Sequence, residues 1–115
     1  MPVQAVLVDD DSLALLMLDG LLSQLGVGDT LPVGSGQEAL QLFRRDATER
    51  VCFVDVHMPG MDGLELIRHL SEEASCVGVV LMSGEDQRIL RSAEELATAQ
   101  GLRVIAALSK PIALA

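Results

Sequence analysis

Asp9, Asp10 and Asp11 stand together directly after the apolar run QAVLV (4–8), and a lone acid, Asp55, closes the run VCFVD (51–55). Ser83 follows VGVVLM (77–82), with Gly84 and Glu85 after it, and Lys110 comes shortly after RVIAAL (103–108), just before Pro111. Carboxylates gathered in one place repel each other and need a counter-charge. A hard divalent cation supplies one, and Mg2+ takes a few carboxylates plus water rather than a complete protein cage. Its remaining positions suit phosphate oxygens, and a lysine and a hydroxyl nearby would complete an anion site. In such a setting an aspartate acts as a nucleophile and forms an aspartyl phosphate. Asp55, the one acid of an apolar run, is the candidate for that role.

This chemistry requires four separate runs to end in the same place, and the pattern between them supplies the means. Ser12 to Leu25 reads as a helix with Ala14, Leu18, Leu21, Leu22 and Leu25 on one face and Gly26 as the stop. TLPV (30–33) is a weak second strand, made edge-like by Pro32. A helix over Gln37 to Asp46 opens at Ser35-Gly36, and a third begins at Leu64 and runs to Leu70 after the turn residues Met-Pro-Gly and Asp-Gly. Asp86 to Ala99 is a fourth, with Ile89, Ala93, Leu96 and Ala97 facing inward. Strands alternating with helices give an α/β fold with a parallel sheet and right-handed crossovers. Continuous apolar strands suit a sheet covered on both faces. Ligands of such sheets bind at the carboxyl edges of the strands, which is where the acids, Ser83 and Lys110 fall.

The chain has 115 residues, which suits one domain (1–115) with a real core, and half of them are hydrophobic, against disorder. Only Phe43 and Phe53 are aromatic, so the core is aliphatic. A net charge of -9 argues against direct nucleic-acid binding and against an anionic membrane surface. No apolar run is long enough to span a bilayer. The N-terminus MPVQAVLVDD lacks the marks of a signal peptide. Cys52 and Cys76 have no metal-type spacing and read as reduced, buried thiols, which points to a cytoplasmic location.

The segments VLVDDDS, VDVHMPGMDG, LMSGE and LSKPI, in this order and spacing, resemble the receiver domain of bacterial two-component response regulators over essentially the whole chain. The resemblance implies a flavodoxin-like, doubly wound five-stranded sheet of order 2-1-3-4-5. It implies that Asp55 accepts a phosphoryl group from a histidine kinase or phosphotransfer protein. Asp10 would bind Mg2+ directly, Asp9 largely through water, and the backbone carbonyl of His57 would be a third protein ligand. Ser83 would hydrogen-bond the phosphoryl group and Lys110 would pair with it. The imidazole of His57 is expected beside the pocket, and Asp11 is expected to start the first helix, not to bind metal.

Three features depart from the family pattern. Ala107 stands where the family usually carries Tyr or Phe, so the usual rotamer switch has no ring to turn. In the first helix Leu16 falls opposite the buried stripe, near Gly20, and predicts a small exposed apolar patch. After Lys110-Pro111 only IALA follows, so the last helix of the family is missing or truncated. The stretch AQGLRVIAALSKPI (99–112) resembles, more weakly, receivers that precede cyclic-di-GMP phosphodiesterase domains, which implies an output domain beyond Ala115. A homodimer is a further expected partner arrangement. Two other readings stand beside this one. The fold could serve as a phosphorylation-independent interaction module, or the chain could be a Mg2+-dependent phosphatase. The latter needs a second acid at position 57, where His57 stands.

Overall fold

The computed structural model describes residues 3–57, 63–84, 87–110 and 112. Five strands and four helices alternate: β1 (Gln4–Val8), α1 (Ser12–Gln24), β2 (Thr30–Val33), α2 (Gly36–Arg45), β3 (Arg50–Asp55), α3 (Gly63–Leu70), β4 (Cys76–Ser83), α4 (Gln87–Ala99) and β5 (Val104–Ser109). The strands form one parallel sheet in the order β2-β1-β3-β4-β5. This is the order that the resemblance to receiver domains implies, with four helices and no fifth among the described residues.

Local chemistry sets the ends of the elements. Asp11 caps α1, its side chain accepting from the Leu13 and Ala14 amides at 3.0 and 3.4 Å, so the expectation that it serves the helix holds. Gly26 ends α1 with a φ of +90°, a left-handed conformation in which a side chain would be strained. Ser35 caps α2 by accepting from the Glu38 amide.

The two faces of the sheet are covered unequally. On one, Val6, Val8, Cys52, Val54, Val79 and Leu81 pack against the apolar stripes of α2, α3 and α4. On the other, a smaller cluster joins Ala5, Leu7 and Met82 to Leu18 and Leu22 of α1. Buried apolar area is the main stabilising term of such a fold, so the first face carries most of the stability. The second face leaves apolar groups in water: Leu13, Leu16 and Met17 of α1 are 61, 69 and 60% exposed. The patch expected around Leu16 is therefore present and larger than Leu16 alone.

Two helix positions differ from the expectation. Leu25 is 59% exposed, because it is the C-cap of α1 and the chain turns away there. Ile89 is 37% exposed while its neighbour Leu90 is buried, so the inward stripe of α4 is Leu90, Ala93 and Ala97. The turn residues at 58–62, together with Glu85, Asp86 and Pro111, lie outside the described residues.

Candidate functional site

Parallel strands point their carboxyl ends the same way, and β1, β3, β4 and β5 deliver their polar residues to one edge. Asp9 follows β1 directly and is 2% exposed; Asp55 is the last residue of β3 and is 5% exposed; Ser83 ends β4 at 1%. Lys110 follows β5, and its amide donates to the Ser83 carbonyl at 2.8 Å, which ties the ends of β4 and β5 together.

The Lys110 ammonium reaches across the edge and donates to Asp9 Oδ2 at 2.5 Å and to Asp55 Oδ2 at 3.1 Å. The other oxygens of the two acids serve the backbone. Asp9 Oδ1 accepts from the Asp11 amide at 3.0 Å, and Asp55 Oδ1 accepts from the His57 amide at 3.1 Å. These bonds fix both carboxylates against the turns that follow their strands. Asp10 lies on the exposed side of the same turn. Oxygens of Asp9, Asp10 and Asp55 lie within 4.8 Å of one another.

Charge is poorly balanced here. Burial pushes the Asp55 carboxyl above the usual range. The His57 amide and Lys110 oppose that push, while the nearby Asp9 charge adds to it. Burial alone would lower Lys110, but its bonds to Asp9 and Asp55 outweigh that and hold its pKa above the ordinary value. Among the described residues, three carboxylates thus gather here and the Lys110 ammonium pairs with two of them, Asp9 and Asp55. Hard oxygen donors this close, with surplus negative charge and one member open to solvent, fit a divalent cation of the Mg2+ type. Beside them a cavity of about 300 Å³, lined by Asp9, Lys110, Leu13, Met17 and Met82 among others, opens along α1.

Every expected site residue lies at this edge, but the two adjacent acids differ in a way the sequence does not reveal. Asp9, expected to act through water, is the buried acid paired with Lys110, whereas Asp10 faces solvent. His57 is exposed, and the clustered ligand atoms are those of Asp9, Asp10 and Asp55. Ala107 packs at the margin of the main core beside Leu81, so no ring occupies that position.

The chain spans only part of the curated relatives it matches. It is 25% identical over 97% of its length to the cyclic di-GMP phosphodiesterase RocR of Pseudomonas aeruginosa, of which it covers 29%. It is 32% identical over 80% of its length to the two-component response regulator ARR11 of Arabidopsis thaliana, of which it covers 18%. Among solved structures, a response regulator from Colwellia psychrerythraea superposes with a TM-score of 0.82 at 33% identity, covering 97% of this chain and 87% of that one. The receiver domain of the Arabidopsis thaliana histidine kinase CKI1, solved with Mg2+ and BeF3-, shares the fold with a TM-score of 0.69 at 21% identity, over 90% of this chain and 79% of that one. The model of the response regulator receiver domain matches residues 5–115, and with the acid cluster, the lysine and the strand order in place, the chain belongs to that family.

Proposed function

We propose that this chain, as one domain over residues 1–115, is the phosphoacceptor of a two-component system. One observation carries the reading: a nearly buried, under-neutralised carboxylate at the end of β3 is held beside two further acids and one lysine. An Asp55 oxygen attacks the phosphorus of a phosphohistidine on a histidine kinase or phosphotransfer protein. The P–O bond to Asp55 forms as the P–N bond breaks, and the electron pair leaves with the imidazole, which takes up a proton. The product is an acyl phosphate on Asp55.

The residues at the edge divide the work. Lys110, already within reach of Asp55 Oδ2, offers its ammonium to the charge on the transferred group. Ser83, at the end of the neighbouring strand, provides a hydroxyl to the same group. The His57 amide keeps the Asp55 carboxylate oriented through Oδ1. Asp9, Asp10, Asp55 and the backbone carbonyl of His57 are the groups that would hold Mg2+. When bound, the ion neutralises charge on carboxylates and phosphoryl oxygens. The chain is not an enzyme in the usual sense, though these groups assist its own phosphorylation and slow hydrolysis.

In the cell the acyl phosphate would bias an output domain or partner. The match to RocR and the stretch 99–112 favour a cyclic-di-GMP phosphodiesterase as that output. No described helix is long and apolar enough to cross a membrane, and with two free cysteines a cytoplasmic setting fits the donor proposed here. Incubation with Mg2+ and acetyl phosphate, followed by intact-protein mass spectrometry, should show one added phosphoryl group. The gain should vanish without Mg2+ and in Asp55→Asn; equal labelling of that variant would overturn the reading.

A further inference from the structure

Gly63, the first residue of α3, rests directly on the backbone that carries Asp55. A Cβ at this position would lie 2.3 Å from Val56 Cα, 2.5 Å from the Asp55 carbonyl oxygen and 2.9 Å from the Val56 carbonyl carbon. All three are backbone atoms, so no side chain can swing aside to make room. Neither partner is free to retreat. The Val56 amide donates to the Met82 carbonyl at 3.0 Å, and the Val56 side chain is 3% exposed in the core. On the other side, α3 is seated by Leu66, Ile67 and Leu70, all fully buried.

Val56 joins Asp55 to His57, and the His57 amide orients the Asp55 carboxylate. A push on Val56 therefore moves both groups that Asp55 and His57 offer to the site. We propose that Gly63 is a positioning residue: its missing side chain lets α3 seat against Asp55 and Val56 and so fixes the aim of the Asp55 carboxylate and the His57 backbone. The inference rests on the reading of Asp55 as a Mg2+-dependent phosphoacceptor. Any L side chain at 63 must move these backbones by roughly an ångström, and a displacement of that size costs about 100-fold in chemistry that depends on orientation.

Gly78 supplies a control within the same sheet. A Cβ there would meet Ile105 Cδ1 at 2.7 Å, but Ile105 is a flexible side chain, 51% exposed, that can turn away. Gly78 pairs with Val51, at the opposite end of β3 from Asp55. Gly63→Ala, Gly78→Ala and the parent chain are compared by Mg2+ calorimetry, by phosphorylation with acetyl phosphate, and by amide NMR of the metal-free proteins. Gly63→Ala should lose at least about tenfold in Mg2+ affinity and phosphorylation rate. Its amide signals from Asp55 to His57 should shift before any metal is added. Gly78→Ala should match the parent in all three.

Parent-like Mg2+ affinity in Gly63→Ala would overturn the inference. Should that variant be unfolded in buffer, the titration is repeated in trimethylamine N-oxide, which favours the compact state. Parent-like affinity under those conditions, or a chain that stays unfolded, would also overturn it, because Gly63 would then serve the fold and not the site. A parent chain that neither binds Mg2+ nor takes up phosphate would instead refute the underlying reading.

Discussion

Strand β3 buries a charged side chain at each end, and the two ends are built for different purposes. At its start Arg50 is 1% exposed. Its guanidinium donates to Gln4 Oε1 at 2.5 Å and to the Leu42 carbonyl at 2.8 Å, and it pairs with Asp46 Oδ1 at 3.0 Å. One cation meets one anion, and neutral acceptors take up other donors. At its end Asp55 belongs to a group of three carboxylates with a single ammonium. The first arrangement is complete and ties β1, α2 and β3 together. The second leaves negative charge unmatched and one acid open to water. A buried charge that lacks full compensation is costly to maintain, so its presence points to a ligand that completes it.

This contrast predicts opposite outcomes for charge removal. The largest effect is expected in Asp55→Asn, which should abolish phosphorylation altogether. Its cooperative unfolding in urea should change by no more than about 1 kcal/mol, because relief of burial and of repulsion from Asp9 offsets the weakened bond to Lys110. A large loss of stability would make Asp55 a structural residue like Arg50.

Removing the cation from the same end should have the reverse signature. Lys110→Met leaves Asp9 and Asp55 without their partner, and should cost about 2–3 kcal/mol, less than a fully buried pair because the lysine side chain is 24% exposed. Mg2+ should restore much of that loss, since a ligand that binds only the folded state stabilises it. Thermal melts with and without Mg2+ test this, and a variant insensitive to Mg2+ would contradict it. At the other end, Arg50→Met leaves the Leu42 carbonyl and the Gln4 amide oxygen without their donor. It should cost about 2 kcal/mol in urea melts, with unchanged Mg2+ affinity.

The sequence announces these two ends unequally. An acid closing an apolar run has no structural motive, so Asp55 draws notice, and Asp9, Lys110 and Ser83 recur at equivalent strand ends. An arginine before an apolar run looks like an ordinary surface flank. Arg50 is held by Gln4 and Leu42, contacts that exist only once β1 and α2 are in place. The choice between Asp9 and Asp10 is hidden for a similar reason: Asp9 is held by Lys110, a contact that exists only once β1 and β5 share the sheet. Leu25 and Ile89 fit a helical stripe by spacing, yet the C-cap geometry and the seating of α4 place them in water. The exposed Leu13 and Met17 escape notice because α1 is apolar around most of its circumference.

The smallest predicted effect is a pH response at the Arg50 end. The Thr48 amide, then its hydroxyl and Arg50, hold the Asp46 carboxyl down from 3.8 to about 2. A depressed folded-state pKa gives stability that is fully present above the unfolded value and disappears as pH falls through about 2. Between pH 4 and pH 2 the parent chain should therefore lose more melting temperature than Asp46→Asn. Parallel curves for the two would remove Asp46 from the account.

On the proposed function, the under-compensated end of β3 is where a phosphoryl group lands. Phosphorylation with acetyl phosphate and Mg2+, then borohydride reduction of the acyl phosphate and peptide mass spectrometry, reads the acceptor directly. Homoserine is expected at position 55, with Asp9, Asp10 and Asp11 unmodified. Reduction at any of those three acids with position 55 intact would contradict it.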